Sequence, residues 1–247
     1  MAEQPPQPWR NIDGVPEPPW RAPRKSGSKA PLSRAAIVDA ALRVLDAEGV
    51  DRLSMRRVGE ELGAGAASIY WHVRNKDELL QLVFERVLDE HELPVPDPSR
   101  WQEQLGMFAI QTREIFSRHR DVARISLGRV PTGPSLAVFI EWLFTLLKPV
   151  GIPDKVIAYL GDLFGLYTGA FAFEESLGTE TFTGPDLSPE QFVTMLKAYI
   201  QELPEDQFPH TREAADLIFS DDRDDRFMFG VDLMLRGLQT YARPAPE

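Results

Sequence analysis

A chain of 247 residues with no cysteine, 43% hydrophobic residues and a formal charge of −11 has apolar material for one large core or two small ones, and can form neither disulfides nor thiolate sites. No apolar run opens it, and no stretch approaches the roughly 18 apolar residues of a membrane span, which predicts a soluble, cytoplasmic protein with no membrane partner. The charge is segregated: residues 1–80 hold 12 Lys+Arg and 11 Asp+Glu, hence +1, and residues 81–247 hold the other 15 and 27, hence −12. An acidic body repels DNA and leaves any DNA binding to the front of the chain.

Residues 1–31 are rich in proline and carry neither a helical nor a strand period, so they are expected to form a disordered arm. Arg21, Arg24, Lys25, Lys29 and Arg34 make the stretch between Trp20 and Ala36 basic, with no acid. Two readings stand for it: an arm that follows the DNA backbone or a minor groove, or a solvated tail. Trp9 and Trp20, unusual in a tail, have no account.

Residues 32–78 read as a three-helix head. Ser33 is placed to cap a first helix whose apolar positions Ile37, Ala40, Ala41, Val44 and Leu45 share one face, and Gly49 supplies its stop. Ser54 is placed to cap a second helix, Met55 to Leu62, ended by Gly63. A brief third helix follows the Gly63-Ala64-Gly65 turn, from Ala66 to about His72. Two short helices around a glycine turn make a helix-turn-helix, whose second helix enters the major groove. The plainer alternative is three ordinary helices of an all-α core.

With its Ser cap, the arginine inside the second helix and the run Tyr70-Trp71-His72-Val73-Arg74-Asn75-Lys76, the head resembles the tetracycline-repressor (TetR) family of one-component regulators. His119-Arg120-Asp121, Leu127-Gly128, Pro131 and Phe229-Gly230-Val231-Asp232-Leu233 further resemble the C-terminal domain of the tetracycline repressors within it. The resemblance spans roughly residues 33–242. It implies an all-α fold, a homodimer, and DNA contacts at Arg56, Ser68, Tyr70, Trp71, His72 and Lys76.

Residue chemistry refines those roles. In the first turn of the recognition helix Ala66 and Ala67 can at most touch thymine methyls, and only Ser68 can hydrogen-bond a base. Arg56 is the candidate for a bidentate guanine contact, with a phosphate contact as its alternative. Tyr70, His72 and Lys76 suit phosphates, whereas Trp71 has packing between helices as its alternative. Ala66 stands where the tetracycline repressors carry glutamine, so the operator should differ.

Residues 79–247 are expected to form a larger helical ligand-binding and dimerisation domain. Segments fall at about 76–92, 99–118, 121–127, 134–149, 154–176, 188–202 and 225–242, with breaks at prolines and glycines. Gly161, Gly165 and Gly169 recur every four residues in one helix, and Gly230 and Gly237 lie seven apart in the last. A helical glycine costs about 1 kcal/mol against alanine, so such stripes need compensation. Close approach of a partner helix in a dimer is one; room for a ligand is the other. A two-fold dimer presents two recognition helices about one DNA turn apart, which predicts a near-palindromic double-stranded operator.

Phe108, Phe116, Phe139, Trp142, Phe144, Phe171 and Phe173 concentrate where a pocket is expected. Most such residues are core, but apolar pockets with a few polar groups are also how small-molecule sites are built, and Thr112, Ser126 and Arg129 can supply those groups. The resemblance points to a magnesium–drug site, but Ser126 replaces its histidine, Phe108 and Thr112 its asparagine and phenylalanine, and Trp142 its glutamine. A hard cation is left without its ligands, so no metal or cofactor is expected, and the effector should be a small hydrophobic molecule. His72, His91, His119 and His210 show no metal-ligand or catalytic spacing, so an enzyme is not expected. The reading is therefore a repressor released from its operator by an apolar or aromatic compound. The alternative is a helical small-molecule-binding protein that no longer reads DNA.

Overall fold

In a computed structural model, residues 32–177, 188–219 and 222–242 are described, and every regular element among them is helical. The N-terminal arm, with the basic segment Arg21 to Lys29, lies outside the described residues. So do residues 179–187 of the break expected from Thr179 to Pro189.

The head forms as its caps dictate. Ser33 Oγ accepts from the Ala36 N–H at 3.1 Å and opens α1 (Arg34–Glu48), which ends on Gly49 at φ +84°. Ser54 Oγ likewise accepts from the Arg57 N–H and opens α2 (Met55–Glu61). The recognition helix α3 (Ala66–Tyr70) is shorter than the spacing predicts, and Val73, just past its end, is fully buried. Gly59 permits the tight α2–α3 turn: a Cβ there would stand 2.8 Å from the Ala64 carbonyl oxygen.

Asn75 caps α4 (Lys76–Leu88), which carries the head into the body. Ile37, Val44, Leu45, Val58, Ile69 and Val73 of the head share one apolar cluster with Leu79, Val83 and Val87 of α4, and with Ile115, Phe116, Val122 and Ile125 beyond. The core is thus continuous across residue 78. Moving the head against the body disturbs close-packed contacts rather than a hinge in solvent.

The body comprises α5 (Trp101–Arg118), α6 (Val122–Ser126), α7 (Pro134–Leu147), α8 (Asp154–Ser176), α9 (Pro189–Gln201), α10 (Pro209–Glu213), α11 (Ala215–Ile218) and α12 (Arg223–Gln239). Its second cluster sets Trp142, Leu146 and Leu147 of α7 against Ile157, Leu160 and Phe164 of α8 and Phe227 and Val231 of α12. The short α10 and α11 have no counterpart among the predicted segments, because their nine residues carry too little apolar periodicity to announce a helix.

One expectation is corrected. Helix α8 is long and apolar enough, by length and composition, to cross a membrane. It passes that test because both of its sides are apolar: Ile157, Leu160, Phe164 and Phe171 are buried, whereas Tyr159, Leu163 and Leu166 are exposed. Its inner side packs on α5, α6 and α7.

Candidate DNA-reading face and ligand cavity

The residues expected to read DNA lie along α2, α3 and the turn into α4. The Arg56 side chain is 85% exposed and, among the described residues, meets only Glu60, at 3.4 Å one turn on, so it is available to a groove. Tyr70 is exposed, and Trp71, at 65%, projects into solvent instead of packing between helices. Ala67 is exposed, and Ala66, Ser68 and His72 are half-buried. Lys76 is already committed: its Nζ donates to the Val50 carbonyl at 2.7 Å, tying the start of α4 to the loop before α2.

Behind the head lies a cavity of about 1050 Å³. Of the residues proposed to line it, Phe108, Thr112, Phe116, Ser126, Arg129 and Phe139 do so. Trp142 and Phe173 do not. Trp142 is fully buried behind Phe108 and Phe139, its Nε1 donating to the Pro94 carbonyl at 2.8 Å, and Phe173 packs on the head-side cluster. Periodicity places an aromatic on a helix face but not at a particular depth.

Stacked rings form part of the wall: His91 on Phe108 at 5.0 Å between centroids, and Phe108 on Phe139 at 4.6 Å. His91, to which sequence spacing assigns no role, is the polar group within that stack. Burial pushes its imidazole below the ordinary histidine range, so the ring is neutral near pH 7. With its proton on Nδ1 it donates to the Leu88 carbonyl at 2.9 Å, and Nε2 faces the Thr112 hydroxyl at 2.9 Å.

Two glycines of the α8 stripe, Gly161 and Gly169, face into the protomer, whereas Gly165 is exposed. A Cβ on Gly161 would stand 3.3 Å from the Phe139 ring, and one on Gly169 would stand 2.9 Å from Ser126 Oγ. Gly161 and Gly165 both line the cavity, with open space beside Gly165. In α12 a methyl on Gly230 would overlap the Tyr167 hydroxyl, whereas Gly237 is exposed with nothing near it. The large exposed apolar side chains of these two helices are Tyr159, Leu163, Leu166, Met228, Phe229 and Leu233.

The cavity touches α4 through a ladder that sequence reasoning misses. Asp77, Gln81, Glu85 and the cap residue Asp89 recur every four residues, one face of α4. They meet the segment from Arg129 to Ser135 in order. Arg129 Nη1 donates to the Asp77 carbonyl at 3.1 Å, and Nη2 to its carboxylate at 3.0 Å. Gln81 Nε2 donates to the Val130 carbonyl at 3.0 Å. The buried Glu85 accepts from both the backbone N–H and the hydroxyl of Thr132 at 3.2 Å. Ser135 donates to Asp89, whose carboxyl is raised by burial. The four-residue repeat is the available signal, although it resembles a solvated helix face.

Comparisons with known proteins give the family of the chain. The family described as "Bacterial regulatory proteins, tetR family" matches residues 37–83, and "Tetracyclin repressor-like, C-terminal domain" matches residues 93–242. The repressor DrrR1 of Streptomyces coeruleorubidus is 32% identical over 219 residues, covering 86% of this chain and 79% of its own. The class D tetracycline repressor of Escherichia coli is 28% identical over 213 residues, covering 85% and 90%. The solved structure of the TetR family protein ActR of Streptomyces coelicolor with actinorhodin superposes with a TM-score of 0.79 at 42% identity, covering 88% of this chain and all of that one. The chain belongs to the tetracycline-repressor (TetR) family of DNA-binding transcriptional regulators.

Proposed function

We propose that this regulator is a cytoplasmic homodimeric repressor, released from a near-palindromic operator by a planar aromatic small molecule that occupies the 1050 Å³ cavity. The observation that carries the reading is the α4 ladder. The segment from Arg129 to Ser135 borders the cavity at Arg129, Val130, Pro131 and Ser135, and every rung runs from it to the helix that carries the head. A ligand that shifts this segment shifts α4. By linkage, a ligand that weakens DNA binding is itself bound more weakly by the DNA complex.

The effector class rests on the stacked walls of Phe108, Phe139 and His91 and on two relatives: ActR, solved with actinorhodin, and the tetracycline repressors. Magnesium–tetracycline itself is disfavoured, because Ser126 and Thr112 do not replace the missing metal ligands. The apolar outer faces of α8 and α12 are the surfaces for a second copy, giving two heads the spacing of a two-fold operator. Arg56 and Ser68 read bases, and Tyr70, His72 and Lys76 meet phosphates.

The test is to select an operator from a random duplex pool and then add actinorhodin while following DNA binding by anisotropy. Release of the operator, with a raised Tm of the free protein, supports the reading. Stabilisation without release removes the induction step; failure to select any sequence favours the non-DNA-binding alternative.

A further inference from the structure

The first rung of the α4 ladder is built differently from the others. Arg129 is the only lysine or arginine among the described residues lining the cavity. The same guanidinium supplies both bonds to Asp77, in the first turn of α4 and next to Lys76. The pair is asymmetric: the Arg129 side chain is 20% exposed, whereas that of Asp77 is 85% exposed. Water and salt screen the exposed carboxylate and weaken its hold. An anion on the cavity side of the guanidinium is less screened and attracts it more strongly. Asp77 is not stranded by losing its partner, since it stays hydrated and sits at a helix N-terminus, which favours negative charge.

We propose that the effector carries an anionic oxygen, a carboxylate or an acidic phenolate, which draws the Arg129 guanidinium away from Asp77 and so opens the rung nearest the DNA-reading head. The proposal rests on the cavity being the effector site. Asp89, Glu92 and Asp162 also line the cavity. They leave an anion one favourable place, beside Arg129, and so fix the orientation of the rings against Phe108 and Phe139. The buried Glu85–Thr132 rung is too enclosed to exchange in this way, and the Gln81–Val130 rung holds no charge pair.

Competition between ligand and Asp77 makes the test specific. Anthraquinone-2-carboxylate and its methyl ester are titrated into the full-length protein by calorimetry, using wild type, Arg129→Gln and Asp77→Asn. The acid should bind wild type at least about tenfold more tightly than the ester. Arg129→Gln should abolish that preference while leaving ester affinity within about twofold. Asp77→Asn should strengthen acid binding several-fold and leave the ester unchanged, a result that a purely structural Arg129 does not produce. Ester binding with no preference for the acid, or acid binding indifferent to Asp77→Asn, overturns the exchange and leaves the cavity reading intact. Failure of both compounds to bind wild type overturns both.

Discussion

The backbone N–H of Val50 donates to the Asp121 carboxylate at 2.7 Å, fastening the loop after α1 to the start of α6. The carbonyl of the same residue is held by Lys76, so Val50 is gripped from both sides. Asp121 adopts φ +61°, an uncommon left-handed conformation for a residue other than glycine, and a Cβ on Gly49 would stand 2.9 Å from its carboxylate. His119 adds a bridge from the same segment, with Nδ1 3.0 Å from Asp46 and Nε2 3.2 Å from Glu90. Asp121→Ala strands the Val50 N–H and should cost about 1–3 kcal/mol. Gly49→Ala combines strain at φ +84° with the collision and should destabilise by a similar amount. Thermal denaturation measures both, and an unchanged Tm for Asp121→Ala would remove the clamp from the account.

The buried rung should separate ligand binding from release. Glu85 holds Thr132 by two bonds and lies outside the cavity wall. Glu85→Ala should therefore lower Tm, bind the effector nearly as wild type does, and release operator less completely. Equal release by the variant would show that transmission bypasses this rung.

The head is legible in the sequence because its signals are local: Ser33, Ser54 and Asn75 each cap the helix they precede, and Gly49 and Gly63 both take positive φ. The cavity is half legible. Phe108, Thr112 and Phe116 fall on one face of α5, but depth separates Phe139, on the wall, from Trp142, sealed behind it. The glycines carry two readings because spacing reveals a small-residue stripe without its neighbour, and Gly161 and Gly169 have neighbours within the protomer. The four-residue repeat of Asp77, Gln81 and Glu85 does not reveal a ladder, because its partners lie 52, 49 and 47 residues away.

Gly230 offers a test of one such neighbour. A methyl there overlaps the hydroxyl of Tyr167, which donates to the Phe227 carbonyl at 2.9 Å. Gly230→Ala should destabilise by about 1–3 kcal/mol through overpacking. Combining it with Tyr167→Ala should recover part of the loss, because the hydroxyl and the ring carbons that the methyl would meet are all removed. Strictly additive losses in the double-mutant cycle would place the strain elsewhere.

The proposed dimer depends on outward-facing residues rather than on the glycines. Leu163→Lys in α8 and Leu233→Lys in α12 should each shift the protein toward monomer in sedimentation, with operator affinity falling in parallel. Gly165→Leu, which intrudes on the cavity, should chiefly impair effector binding. A monomer produced by Gly165→Leu, with Leu163→Lys still dimeric, would reverse the assignment.

Acid should weaken the fold in two separate windows. Burial depresses the His91 pKa, so the unfolded chain takes up a proton first as pH falls below the ordinary value of 6.5, and stability declines from there. Burial alone raises the Glu78 carboxyl, but hydrogen bonds from the Arg74 N–H and side chain, with the charges of Arg74 and Arg34, outweigh it and leave the pKa lowered. Its contribution is complete above the ordinary value of 4.5 and disappears as pH falls through the lowered one. His91→Gln should flatten the upper window and leave the lower. A denaturation series with no change of slope below pH 6.5 would contradict the buried neutral ring.

Arg56 and Lys76 should part company on stability. Among the described residues Arg56 pairs only with Glu60, an exposed pair of negligible worth, so Arg56→Ala should leave Tm unchanged. It should reduce operator affinity and relax preference at one base position per half-site, by roughly 1–3 kcal/mol. Lys76 holds the Val50 carbonyl at 2.7 Å, and in the proposed complex it also meets a phosphate. Lys76→Ala should therefore lower Tm, weaken all duplexes alike, and flatten the salt dependence of binding by about one unit for each phosphate no longer neutralised. Gel-shift titrations at several salt concentrations, run on selected and random duplexes, distinguish the two. Equal losses on both duplexes for Arg56→Ala would move that arginine to the backbone, and an unchanged salt slope for Lys76→Ala would leave the lysine a purely structural tie.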